Sequence, residues 1–206
     1  MNAQAAKQLR MSAPERRAQI VEIATELFSM HGFERLTMGL LASKVGVTEP
    51  ALYRYFDSKD ALYEAVLGTL KDRIDIDGAV QNLSQAADAQ TLLYGMARFI
   101  VRNFSKHKEL ARLLLLCALE GHPLAKKTFK DLRLPFVNCL SERLAFFIER
   151  GEMAQVHPEI TARCFVGMVM DCSLGTHLWR DMQGQVYDPE KVIDNNIPIY
   201  LKGLEL

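Results

Sequence analysis

The sequence predicts an all-α protein, with an N-terminal three-helix domain built around a helix-turn-helix and a larger C-terminal helical bundle. Three observations carry this. Apolar residues recur at spacings of three and four along most of the chain, no stretch shows the alternation of a half-buried strand, and around residue 46 a single glycine separates two short amphipathic stripes. The 206 residues divide naturally into a small domain, residues 1–60, and a larger one, residues 61–206, with ample chain to bury a core.

Residues 1–11 read as a solvated tail or as an arm, and the tail is the plainer reading. Residues 1–17 hold Lys7, Arg10, Arg16 and Arg17 against Glu15, a local net charge of +3 in a chain whose formal net charge is zero. Residues 1–60 carry eight Lys/Arg against seven Asp/Glu, so nonspecific attraction to a polyanion is modest and comes mainly from the arm. The first helix starts legibly, with Ser12 and Glu15 as an S-x-x-E capping box and Pro14 tolerated in the first turn. Ile20, Ile23, Ala24 and Leu27 follow at helical spacing. Gly32 ends the helix, and Phe33 folds back on its last turn, which makes Phe28 and Phe33 core residues.

From Thr37 to Lys59 the chain reads as helix, turn, helix. Leu41, Ala42 and Val45 form one stripe, and Leu52 and Tyr55 the next. Ala42 is small where a crossing helix must approach closely, while Gly46 can take the positive φ that ends a helix. Thr48 caps the second helix, predicted to run about two turns, with Pro50 in its first turn where a missing N–H costs nothing. Tyr53, Arg54, Tyr55 and Lys59 place phenol hydroxyls and cations on its exposed side and C-terminal edge, which suits phosphate oxygens. A buried helical hairpin accounts for the glycine and the two stripes, but not for the Tyr-x-Tyr-Phe-x-x-Lys tail as well.

Gly32-Phe33, Thr37, Leu41-Ala42, Gly46-Val47-Thr48, Leu52-Tyr53, Tyr55-Phe56, Lys59 and Leu62, at this spacing, resemble the DNA-binding domain of the TetR family of bacterial transcriptional regulators. Gly39, inside the first reader helix, and Leu40, where the family more often has a polar residue, depart from the pattern. Glycine there costs up to about 1 kcal/mol relative to alanine. The DNA-binding set on this reading is Thr37, Thr48, Glu49, Pro50, Ala51, Tyr53, Arg54, Tyr55 and Lys59. Tyr53, Tyr55 and Lys59 are assigned to phosphates, and Glu49, Pro50, Ala51 and Arg54 lie nearer base edges.

Beyond Lys59 a connecting helix with Leu62, Val66 and Leu70 is predicted to run to about Ile76. Asp77 to Asp88 then forms a linker, or a turn or two of helix over residues 80–86. Helices follow at Ala89 to Ser105, Lys108 to Glu120, Pro123 to Arg150, Pro158 to about Met182, and Pro189 to the C-terminus. Leu113 to Leu119 is uninterruptedly apolar and is predicted to be buried nearly all round. Pro135 lies inside the longest helix, where it either opens a pocket or simply bends the helix, and Pro198 bends the last one.

Between Arg163 and Arg180, Asp171 is the only formally charged residue. Both faces of that helix need covering, and it is too short for a membrane span, which leaves its own core and a second copy of the chain. Gly167, Asp171, Leu174, Gly175 and Leu178 are the predicted dimer-interface residues, forming with the last helix a four-helix bundle across a two-fold axis. The family resemblance implies the same homodimer. It also implies a small-molecule effector pocket, for which the chain offers Phe99, Asn103, Cys117, Phe136, Cys139, Met168, Cys172 and His177, although Phe and Met at helical spacing equally suit plain core. Lining of this kind, without clustered Arg or Lys, suits a largely apolar effector.

No secretory signal precedes the first helix, and a cytoplasmic location is expected. The four cysteines show neither a C-x-x-C pair nor a histidine at metal-ligand spacing, so reduced thiols and no metal are expected. Neither a glycine-rich phosphate loop, H-E-x-x-H nor a nucleophile elbow is present, which leaves no catalytic residues and no cofactor to propose. The sequence thus reads as a ligand-responsive repressor that binds double-stranded operator DNA as a homodimer. The alternative is a DNA-binding dimer with no effector, controlled by a protein partner or by concentration.

Overall fold

A computed structural model describes residues 11–177 and 188–205, save the side chains at 117, 118, 125 and 175–177. Arm residues Lys7 and Arg10, and Leu178 of the predicted dimer interface, lie outside the described residues. The chain divides into two compact units, Met1–Val66 and Leu67–Leu206, and the described residues form helices and no strand.

The first unit holds α1 (Ala13–Arg35), α2 (Met38–Val45), α3 (Glu49–Tyr53) and the start of α4 (Lys59–Lys71). Ser12 and Glu15 form the reciprocal capping box, the Glu15 carboxylate accepting from the Ser12 backbone N–H at 2.7 Å. At Gly32 the backbone leaves helical geometry, with φ 78° and ψ 176°, and a short turn continues to Arg35. That break lets Phe33 stack on Phe28, ring centroids 6.0 Å apart, inside a core of Ile20, Ala24, Leu41, Leu52 and Leu62. Thr37 caps α2 through the Leu40 N–H, and Thr48 caps α3 through the Ala51 N–H. Gly46 ends α2 in the left-handed region.

The second helix of the pair is shorter than expected. α3 ends at Tyr53, and the chain turns through Arg54 and Tyr55 so that Phe56 drops into the core beside Leu52. Burying one more aromatic ring outweighs extending an exposed helix by a turn.

The second unit is a bundle of α5 (Ile76–Ser84), α6 (Ala89–Lys106), α7 (Lys108–Glu120), α8 (Pro123–Glu149), α9 (Pro158–His177) and α10 (Pro189–Gly203). α8 and α9 pack along one another, α6 and α5 cover them, and α10 lies against α6 and α9. Leu92, Met96, Leu140, Leu144, Phe165 and Val166 form the centre of the core. α8 continues through Pro135.

Two expectations are corrected here. The connecting helix stops at Lys71 rather than near Ile76, because the Asp75 side chain accepts from the Gly78 N–H at 2.9 Å and caps a new helix where a linker was expected. Ile76, Ala79 and Leu83 are the buried stripe that makes α5 worth forming. The leucine run of α7 is not buried all round: Leu113 and Leu114 are, Leu115 and Leu116 are half-buried, and Leu119 is 79% exposed. A helix lying at the margin of a bundle covers only one side of its apolar surface.

Two glycine substitutions test the local readings. Gly46 has φ 77° and nothing within 4 Å of an added Cβ, so Gly46→Ala should cost about 1 kcal/mol through the backbone alone. Gly68, inside α4 with equally open space, should gain up to about 1 kcal/mol as alanine. Urea denaturation should shift the two midpoints in opposite directions.

Candidate functional site

The reader surface is built on caps and a buried seam. Leu41, Ala42 and Val45 of α2 and Leu52 of α3 are buried, which turns the other side of both helices outward. Thr37, Thr48, Glu49, Pro50, Tyr53 and Arg54 are exposed, and Ala51, Tyr55 and Lys59 half-buried, so no member of the predicted set is buried. Leu40, Ser43 and Lys44 of α2 are exposed as well, and the sequence reading did not include them in the set. Their signal was their position on the face of α2 opposite its buried stripe.

Gly39 faces the start of α3. A Cβ on residue 39 would meet only the Glu49 side chain, its Oε2 at 2.9 Å, and that exposed carboxylate can swing aside. Lys59 donates to the Glu34 carbonyl at 3.4 Å and lies 4.3 Å above the Phe33 ring, a cation–π contact that fixes its ammonium at the C-terminal end of α1. Arg17 covers the Phe56 ring in the same manner at 4.6 Å.

In the second unit, α6, α7, α8 and α9 line a partly open cavity of about 50 Å³. Phe99, Ile100, Leu110, Leu114, Leu132, Phe136, Val166 and Met170 line it, with Ile74, three residues beyond the end of α4, at one side. Phe99 and Phe136 pack ring to ring at 5.5 Å. Asn103 also lines the cavity and donates to the Phe99 carbonyl at 2.9 Å.

Of the sequence-predicted lining, Phe99, Asn103 and Phe136 thus meet at one cavity. Cys139 does not join them. It is buried one turn further along α8 with its thiol against the Val80 carbonyl at 3.9 Å. Met168 and Cys172 are half-buried on α9 but do not line the cavity, which that helix reaches through Val166 and Met170 instead. The side chains of Cys117 and His177 lie outside the described residues. Burial pushes the Cys139 and Cys172 thiols up, with Glu142 and Asp171 adding to the shift. That is the wrong direction for a thiolate nucleophile.

His107 was missed. It lines the cavity at 7% exposure, and its Nε2 is buried without a hydrogen-bond partner. Burial pushes its pKa down, Lys106 and Arg73 push the same way and Glu109 opposes them, so the imidazole is neutral near pH 7. A signal was available, since Phe99, Asn103 and His107 recur every four residues and end on the C-cap of α6.

On α9, Ala162, Phe165, Val166, Val169 and Met170 face the core. Gly167, Met168 and Leu174 are half-buried and Asp171 exposed, beside Cys164 and Ile160, which is 57% exposed. α10 adds Ile199, 65% exposed. Gly175 continues the helix. No helix among the described residues is long and apolar enough to cross a membrane.

A capped helix-turn-helix with an outward polar face, followed by a separate helical bundle, is the arrangement of a DNA-binding regulator. Residues 20–66 match the family described as bacterial regulatory proteins, tetR family. The nucleoid occlusion factor SlmA of Mannheimia succiniciproducens is 32% identical over 161 residues, 75% of this chain and 65% of that protein. SlmA of Pasteurella multocida is 31% identical over 148 residues, 66% of this chain and 71% of its own length. In fold, the chain is similar to AibR in complex with isovaleryl coenzyme A and operator DNA, with a TM-score of 0.68 and 21% identity over 90% of this chain and 97% of that one. The chain belongs to the TetR family of transcriptional regulators, whose members are regulators rather than enzymes.

Proposed function

We propose that the protein is a homodimeric repressor that binds a pseudo-palindromic operator through residues 1–60 and releases it when a largely apolar small molecule occupies residues 61–206. The cavity is the observation that carries this reading: an apolar chamber with a few polar side chains in its wall, in a regulator that also presents an accessible reader surface. The AibR structure, which holds isovaleryl coenzyme A and operator DNA on a similar fold, supports the pairing of a ligand site with a DNA reader, and the release step rests on the cavity alone.

A second reading draws support from the size of the cavity. About 50 Å³ is well below the roughly 150 Å³ of an apolar cavity that admits benzene. The similarity to nucleoid occlusion factors favours the same alternative, a DNA-binding dimer with no effector that is controlled by a protein partner or by its concentration.

In the reader, Tyr53, Tyr55 and Lys59 serve phosphates, while Glu49, Pro50, Ala51 and Arg54 serve base edges, with Thr37 and Thr48 at the helix starts. Phosphate contacts are nearly independent of sequence and base contacts are not. Lys59→Ala should weaken all sites alike and reduce the slope of log affinity against log salt by about 0.9. Arg54→Ala should instead change which sequences are preferred, by about 1–3 kcal/mol at the base it reads. Fluorescence anisotropy across a salt series and an operator panel separates the two.

The dimer joins through α9 and α10. Ile160 and Ile199 are exposed isoleucines on adjoining helices, and Gly167 permits close approach. Two readers then sit roughly 34–36 Å apart, one DNA turn, or a multiple of it. Gly167→Glu or Leu174→Lys places a charge where no water solvates it and should yield folded monomers with lost operator affinity. Sedimentation checks this, and an undisturbed dimer in both variants would move the interface elsewhere.

The switch itself is tested by linkage. If the effector shifts operator affinity by a coupling of about 1–3 kcal/mol, or about 5- to 150-fold, operator must weaken effector binding by the same factor. Calorimetric titration of a hydrophobic candidate with and without operator should show that difference. Equal affinities would reject the ligand switch in favour of the effector-free dimer.

A further inference from the structure

His107 sits in the cavity wall as a polar group with nothing to bind. It is 7% exposed, and its Nε2 has no hydrogen-bond partner. An unpaired buried polar atom costs roughly as much as a lost hydrogen bond, so natural structures rarely retain one without a use. The rest of the wall offers that nitrogen little. Phe99, Phe136, Leu110 and Met170 are apolar, the Asn103 side-chain amide is already turned to the Phe99 carbonyl at 2.9 Å, and the Arg133 guanidinium donates to the Arg163 carbonyl at 3.0 Å. An ordered water needs two to four polar partners, and this wall is poor in them.

From the unpartnered Nε2 in the apolar chamber, we propose that the effector is a compact apolar molecule carrying one uncharged oxygen, of the phenol or alcohol class, which hydrogen-bonds His107. This rests on the reading of the cavity as the effector site. The apolar wall around a single unpaired nitrogen fixes the charge type. A neutral imidazole Nε2 pairs with a hydroxyl either as donor or as acceptor, and no ionisation has to change. A carboxylate would have to shed its hydration in a wall that is almost wholly apolar and whose Arg133 guanidinium is already turned to the Arg163 carbonyl, and an ammonium would in addition meet the positive field of Lys106 and Arg73. The apolar body needs more room than about 50 Å³, and Phe129, in the wall and 42% exposed, is the side chain that can swing toward solvent to provide it.

The test uses phenol, benzene and benzoate as probes of nearly equal body, titrated into the 206-residue protein and followed by NMR. Phenol should bind at least about tenfold more tightly than benzene, the difference expected for one satisfied buried hydrogen bond. Benzoate should be the weakest. Phenol, but not benzene, should shift the His107 ring-proton resonances of the unmodified protein, a readout that needs no variant. His107→Phe, which keeps the ring volume, should abolish the preference for phenol. Equal binding of phenol and benzene, or tighter binding of benzoate, would overturn the assignment to His107 and leave the effector cavity standing. Binding of none of the three would overturn the cavity reading itself.

Discussion

The reader depends on three rings. Tyr63, wholly buried on α4, meets Phe28 edge-on at 5.0 Å and Phe33 at 5.1 Å, and Gly32 supplies the backbone break that brings Phe33 into the group. Such ring pairs are worth about 0.5–1.5 kcal/mol each beyond the area they bury. They tie the C-terminal end of α1 to α4 and so frame the space in which α2 and α3 cross. The same cluster reaches the functional surface, because Lys59 stands one turn before Tyr63 and rests on the Phe33 ring. The cation assigned to a phosphate is therefore held in place before any DNA arrives, which reduces the side-chain entropy lost on binding.

A second constraint operates at the end of α4. Lys71 pairs with Asp131 of α8 at 3.2 Å, both side chains partly exposed, and Asp75 then starts α5. An ion pair of that exposure contributes little to stability, about 0–1 kcal/mol. Its consequence is positional. Between that pair and the Asp75 cap, Ile74 enters the cavity wall three positions beyond α4.

What could be read in the sequence was what is decided locally. The capping box at Ser12, the caps at Thr37 and Thr48 and the turn at Gly46 depend on a few neighbouring residues, and each formed where its chemistry placed it. The ends of α3 and α4 were harder, because they are set by competition. Phe56 gains more from the core than α3 gains from another turn, and Asp75 captures the Gly78 N–H before α4 can extend. The leucines of α7 misled for a related reason: an apolar run announces burial, but only the position of the helix in the bundle decides how many sides are covered. His107 was overlooked because a histidine at a helix end has an ordinary role as a cap. Its significance lies in the company of α8 and α9 residues more than twenty positions away.

That unpaired histidine also bears on how a ligand could act at all. Occupancy alone shifts nothing; a ligand moves an equilibrium only by its differential affinity for the two states. A buried Nε2 without a partner destabilises the empty form by about 1–3 kcal/mol, and a hydroxyl that satisfies it recovers this energy only while the wall stays closed around both. An arrangement of α6 and α7 that opens His107 to water has no such energy to recover, since water already satisfies the nitrogen there. The ligand's preference for the closed wall is therefore of the same order as the coupling that regulators of this kind require. Carbon buried only in the closed arrangement discriminates as well, at about 25 cal/mol per Å² of apolar surface, and the single polar atom adds a directional contribution of comparable size.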